Sequence, residues 1–179
     1  MKPIKIIAIS GSLKSTSSNT SILNTIAKLA PKNVVVEIFE GIDLLPHFNP
    51  EITEDIPAVT LFRNKIKEAD GVLFSTPEYA FGVPGVLKNA LDWLVSSGEF
   101  NKKPIAAISV STMQSGGDKA LASLMLTLSV LGTTFTESST LAIGSIKSKM
   151  NDTGEINSST TQQELFLVLN SLLNSIAKS

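Results

Sequence analysis

Two stretches of this chain hold most of the residues that could do chemistry. The first is Ser10-Gly11-Ser12-Leu13-Lys14-Ser15-Thr16-Ser17-Ser18-Asn19-Thr20. Its hydroxyls and its one amide donate hydrogen bonds while staying neutral, and Lys14 adds a single charge. That set suits phosphate oxygens, above all if a helix begins at its end, where free N–H groups and the helix dipole favour an anion. The loop is neither GxxxxGK[ST] nor GxGxxG, since Gly11 is its only glycine. A terminal monophosphate therefore fits better than a nucleoside triphosphate or a dinucleotide pyrophosphate. The competing reading is a polar loop that only caps the next helix through Ser17, Ser18 or Asn19.

The second stretch, Ser75 to Trp93, reads STPEYAFGVPGVLKNALDW. Pro77 stiffens the turn that ends an apolar run. Tyr79, the only tyrosine, is placed to pack against a flat ligand. The backbone amides of Glu78, Tyr79, Ala80 and Phe81 are available to the heteroatoms of such a ligand. Gly82 and Gly85 permit close approach. A third stretch, Ser109 to Asp118, adds Ser111, Ser115, Gly116 and Gly117, small groups that could hold the polar edge of a ring system. Its competing reading is a glycine turn into a helix capped by Asp118. Phosphate at one loop and a flat aromatic body at the next describe FMN.

What is missing also narrows the chemistry. The chain has no cysteine and one histidine, so thiolate nucleophiles, disulfides and His-rich metal sites are not expected. His47 lies in LLPHFNP with no evident partner, and reads as a structural loop residue or as part of a pocket mouth. No GxSxG elbow is present. Asn151-Asp152-Thr153-Gly154-Glu155 lacks the alternating ligands of a calcium loop. No metal site and no catalytic acid or base is expected. A cofactor that carries the reaction itself requires neither. A net charge of -1 gives no reason to expect a nucleic acid or an anionic membrane as partner. The apolar run after Lys2 is too short for a secretory segment, and no run approaches a spanning helix. A cytoplasmic protein is expected.

The elements that must position these loops follow from periodicity. Ile4 to Ile9, Val34 to Phe39, Gly71 to Phe74 and Ile105 to Val110 read as buried strands, with a weaker fifth at Thr133 to Glu137. Helical faces run through Ile22–Ala30, through Ala58–Ala69 after Pro57, through Leu121–Leu131 before Gly132, and through Leu165–Ile176. Ser145 to Thr161 reads as a long polar loop. The alternation predicts an α/β protein: a doubly wound five-stranded parallel sheet in a three-layer α/β/α sandwich, one domain over residues 1–179. All three polar stretches would then lie on one rim. The helix from Pro84 to Ser96 carries two apolar faces, Leu87-Leu91-Leu94 and Val86-Ala90-Trp93. The second predicts a contact with another copy of the chain.

With these loops read, the sequence resembles the NADPH-dependent FMN reductase family, flavodoxin-like flavoproteins that include quinone, azo-dye and chromate reductases. GSLKSTSSN looks like that family's phosphate loop, PEYAFGVPGVLKNALDW is similar to its second signature, and SGGDKA and NDTGEINSSTTQQEL resemble its later segments. The resemblance implies FMN, with phosphate on Ser12, Lys14, Ser17 and Asn19 and flanking help from Ser10, Ser18 and Thr20. It implies the ring against Pro77, Glu78 and Tyr79 and near Ser111 to Gly117. It implies NADPH or NADH as donor, a small-molecule acceptor such as a quinone, free flavin or azo dye, a ping-pong hydride mechanism, and a homodimer or homotetramer. Lys14 stands where the family commonly has arginine, and Ala80 where it commonly has asparagine. The alternative is a non-catalytic FMN-binding electron-transfer module. Such carriers tend to be strongly acidic, and this chain is near neutral.

Overall fold

A computed structural model describes residues 2–52 and 54–179. Its strands are β1 (Ile4–Ser10), β2 (Val34–Ile38), β3 (Gly71–Thr76), β4 (Ile105–Val110) and β5 (Thr140–Ile143). Its α-helices are α1 (Ser18–Leu29), α2 (Pro57–Glu68), α3 (Gly85–Asp92), α4 (Asp118–Val130) and α5 (Ser159–Ile176). All strand pairs are parallel, and the five strands run β2-β1-β3-β4-β5 across the sheet. This is the flavodoxin-like order, which places its ligand crevice beyond the carboxyl ends of β1 and β3.

Two cores form because side chains alternate across each strand. Ile7, Ile9, Val72 and Phe74 face Phe62 of α2, Leu87 and Leu91 of α3 and Leu124 of α4. Ile6, Ala8, Leu73, Ala106 and Ile108 face Ile22, Leu23 and Ile26 of α1 and Leu165 and Leu169 of α5. Being covered on both sides, β3 and β4 are buried along their whole length, which is why they read as continuous apolar runs.

Four expectations need correction. The fifth strand is Thr140–Ile143, not Thr133 to Glu137. Only Thr134 of that segment pairs with the sheet: its N–H donates to the Lys103 carbonyl and its own carbonyl accepts from Ile105. A short 3₁₀ turn at Glu137–Ser139 then separates it from β5. The true strand is a short, half-exposed edge, so it lacks a strong apolar signature. Asp118 makes no capping bond; the α4 N-cap is Gly117, in a left-handed conformation. Pro84 is the α3 N-cap residue, one position ahead of the first turn, and the helix ends at Asp92. Finally, the Trp93 face of α3 is covered within the same chain. The Trp93 Nε1–H donates to the Pro46 carbonyl (2.8 Å), and the ring meets Phe48 edge-on at 5.1 Å. Asn89 accepts from the Phe48 N–H (2.8 Å), so the loop after Leu44 is pinned over this face. His47 is exposed on the same loop.

Candidate active site

The loop after β1 is tied down at both ends by β3. Gly11 N–H donates to the Ser75 carbonyl (2.8 Å), and Ser75 Oγ donates to Asn19 Oδ1 (2.9 Å). A Cβ at Gly11 would stand 3.0 Å from Leu87 Cδ2 and 3.2 Å from Thr76 Oγ1, so a larger residue would have to push these side chains back. Ser10 Oγ accepts from the Ser12 N–H (3.3 Å) and from Thr20 Oγ1 (3.3 Å). Ser10 and Thr20 therefore hold the loop to the helix and stay outside the cleft wall. Ser17 is the α1 N-cap, its Oγ accepting from the Asn19 N–H (3.1 Å). Among the described residues the N–H groups of Ser18 and Thr20 have no protein partner. Free donors at the start of a twelve-residue helix are the group set that an anion requires.

The loop after β3 turns sharply. Tyr79 and Gly82 exchange both backbone hydrogen bonds (3.1 and 3.0 Å). The two residues between them, Ala80 and Phe81, have φ of 48° and 60°. This is a two-residue turn with both central residues left-handed, a conformation that favours Asn and Gly. Ala80 and Phe81 thus shape the turn, and Phe81 projects into solvent at 79% exposure. Tyr79 is 58% exposed and its ring has no aromatic partner among the described residues.

The Glu78 side chain does something the sequence did not suggest. Its Oε2 accepts from the Ala120 N–H (2.9 Å) in the first turn of α4. The cap missing at Asp118 comes from 42 residues earlier, and a carboxylate there also complements the helix dipole. Gly117, with φ of 80°, allows the contact: a Cβ there would stand 3.3 Å from Glu78 Cβ and 3.4 Å from Ser109 Cβ. Gly116 packs backbone to backbone on the chain leaving β5, where a Cβ would come within 2.9 Å of Ala142 C and Ile143 N. Ser115 is exposed. Gly116 and Gly117 thus serve the packing of this loop, and neither they nor Ser115 is among the residues of the cleft wall.

These loops enclose a cleft of about 250 Å³. Its wall brings together Ser12, Lys14, Ser17, Ser18 and Asn19 with Pro77, Glu78, Tyr79 and Ser111. Thr112, inside the Ser111 to Gly117 stretch, lines it too, and so does Lys147, which the sequence reading does not include. Lys147 lies in a 3₁₀ turn, Ile146–Lys149, directly after β5; placing the fifth strand correctly would have put that turn on the same rim. Larger depressions exist, such as one of about 500 Å³ bounded by Lys2, Asn101 and Pro104. That one lies at the amino ends of the strands, away from the crevice. The cleft fits FMN: free helix N–H groups, the Asn19 amide and Lys14 meet the needs of a phosphate dianion, and Tyr79 offers a flat face. Its volume falls below the usual range of ligand pockets, about 300–1,000 Å³, so part of a bound ring would stay open to a second molecule. The described residues hold no group of three or more His, Asp or Glu side chains able to bind a metal.

An α/β sheet in this order with a polar, helix-capped cleft at its switch point defines the flavodoxin-like class. The pattern of the family described as NADPH-dependent FMN reductase matches residues 4–148, and the chain belongs to that family. It is an FMN-dependent oxidoreductase that draws on NAD(P)H. It is 34% identical over 162 residues to a quinone reductase of Pseudomonas putida, covering 87% of this chain and 86% of that one. It is 39% identical over 133 residues to an NAD(P)H-dependent FMN reductase of Pseudomonas aeruginosa, covering 70% and 69%. Among solved structures it superposes on FerB, a flavoenzyme NAD(P)H:(acceptor) oxidoreductase from Paracoccus denitrificans, with a TM-score of 0.88, 28% identity and 98% of each chain covered.

Proposed function

We propose that the cleft binds FMN with its phosphate on Ser12, Lys14, Ser17, Ser18 and Asn19 and its ring against Pro77, Glu78 and Tyr79. The protein then passes electrons from NADPH or NADH to a small acceptor, a quinone, a free flavin or an azo compound, in two successive half-reactions. The observation that carries this reading is the meeting, in one cleft, of the unpaired Ser18 N–H and the Asn19 amide at the α1 N-terminus with the exposed Tyr79 ring. The names of the relatives support a quinone or a flavin as acceptor.

FMN supplies, when bound, a ring that takes up hydride and gives electrons back. The chain's own contribution is to bind, orient and polarise. Lys14 neutralises part of the phosphate charge. Tyr79 and Pro77 hold the ring plane. The Glu78 N–H has no partner among the described residues and so is a donor available to a ring bound at this loop, a means of stabilising added negative charge. Glu78's carboxylate is engaged at α4, so it keeps this loop in place and is not a free base. One small cleft shared by donor and acceptor makes the two take turns. The setting we propose is one domain, residues 1–179, working in the cytoplasm, where NAD(P)H is at hand. The test is an absorbance spectrum of the purified protein followed by anaerobic NADPH and NADH, then steady-state kinetics with a quinone. Flavin bands that bleach with either donor, and parallel double-reciprocal lines, are the expected results. A colourless protein with no affinity for FMN, or intersecting lines, overturns the corresponding part.

A further inference from the structure

We propose that Ser75 is a positioning residue for the cofactor phosphate: its buried hydroxyl fixes the Asn19 side chain so that the amide NH2 faces the cleft. The proposal rests on the reading that the FMN phosphate sits at Asn19. Ser75 is fully buried near the end of β3, after the apolar residues Val72-Leu73-Phe74. A hydroxyl in such a place is costly unless hydrogen-bonded. Its hydrogen bond is the one to Asn19 Oδ1, at 2.9 Å.

That bond decides which end of the amide an anion meets. An asparagine amide has an acceptor end and a donor end of nearly equal shape. Only the NH2 end helps a phosphate; the oxygen end repels it. With Oδ1 taken by Ser75, the NH2 group has no partner among the described residues and Asn19 lines the cleft. Flipping the amide would leave the Ser75 O–H proton buried with no acceptor, and would turn Oδ1 toward the anion. Both effects oppose the flip. The Ser75 carbonyl also holds the Gly11 N–H at 2.8 Å. One residue of β3 thus grips the phosphate loop at its first residue through the backbone and at its far end through the side chain. Positioning by a neutral hydroxyl adds no charge to compete with the phosphate.

The test compares FMN with riboflavin, which lacks the phosphate. The apoprotein is titrated with each in phosphate-free buffer, and quenching of flavin fluorescence is read. In Ser75→Ala the Kd for FMN rises about tenfold, as expected for a misoriented bond to a charged group, while the Kd for riboflavin stays within about twofold. In an Asn19→Ala background, Ser75→Ala has no further effect on FMN. Equal weakening of both ligands, no weakening, or additive losses in the double variant overturn the proposal. A second measurement needs no variant: the Asn19 side-chain NH2 resonances of the wild-type apoprotein shift with FMN and not with riboflavin. Resonances that respond alike to both overturn it as well. If Asn19→Ala itself leaves the FMN Kd unchanged, the phosphate does not sit there and the reading of the cleft falls too. A normal loss in Asn19→Ala beside an unaffected Ser75→Ala overturns the role of Ser75 alone.

Discussion

Lys14 and Ala80 depart from the family's usual residues in different ways, and the structure separates them. Lys14 lines the cleft, so its substitution acts on binding. Lys14→Met weakens FMN roughly fivefold, the equivalent of about 1 kcal/mol. Lys14→Arg tightens it, because a planar guanidinium grips two phosphate oxygens at once where an ammonium offers a point charge. Riboflavin affinity stays level in both; a parallel change in riboflavin would place Lys14 away from the phosphate. Ala80 does not line the cleft. It is the first central residue of a turn with φ of 48°, where asparagine is tolerated far better than alanine. Ala80→Asn therefore acts on stability, adding about 0.5–1 kcal/mol, or roughly 1–4 °C in Tm for a chain of this size. Thermal unfolding of the apoprotein checks it, and an unchanged or lower Tm refutes the strain argument.

Elements were legible in the sequence wherever burial imposed a pattern. Strands β1, β3 and β4 and four helical faces stand out because the centre of the sheet is covered on both sides and each helix buries a stripe. Strand β2, read as buried, is a half-exposed edge with Val35 open to solvent, and its run of β-branched residues alone made it legible. Strand β5, a four-residue half-exposed edge, has no such pattern, and Thr133 to Glu137 imitates one with β-branched and aromatic residues. That single misplacement hid Lys147 from the site. The phosphate loop was legible because donors cluster in it. The Glu78–Ala120 bond was not, since nothing local links residues so far apart. This bond makes α4 depend on the loop after β3. Glu78→Ala costs about 1 kcal/mol, typical for a lost N-cap, and increases hydrogen exchange at Ala120 in the apoprotein. Exchange that is unchanged there rules out the cap. A similar tie closes the other end of the sheet: Lys103 Nζ donates to the Ala69 carbonyl just past α2. Burial lowers the Lys103 pKa, against a smaller opposing pull from Asp70. A lysine with a lowered folded-state pKa sheds its proton earlier in the folded protein than in the unfolded chain. The unfolded chain binds more protons in that window, so stability rises with pH between the depressed value and the ordinary 10.5. The Tm difference between wild type and Lys103→Met should accordingly grow in favour of wild type as pH climbs toward 10.5, and a flat difference contradicts the shift.

In the molecule as a whole, two helix faces bear on how copies of the chain could meet. The apolar face of α3 around Trp93 is covered by Pro46 and Phe48 of the same chain, so the Trp93 ring is not free to meet another copy. Helix α4 differs. Its charges are confined to Asp118 and Lys119 at the start, and its outer side carries Ala122, Leu126 and Val130, the last two at 72% and 85% exposure. An uncharged apolar helix face of this kind is characteristic of a surface meant for a protein partner, and self-association would cover it in pairs by a twofold axis. The homodimer or homotetramer implied by the family resemblance is accordingly expected to use this α4 face. Sedimentation equilibrium of the wild type is expected to give a dimer or a tetramer. Leu126→Lys with Val130→Lys should lower the mass to the next smaller species without loss of far-ultraviolet ellipticity, because neither side chain is buried in the chain's own core. Trp93→Lys should instead unfold the loop over α3. An assembly mass that survives the paired α4 substitutions excludes this face, and a wild type that sediments as a monomer removes the need for any.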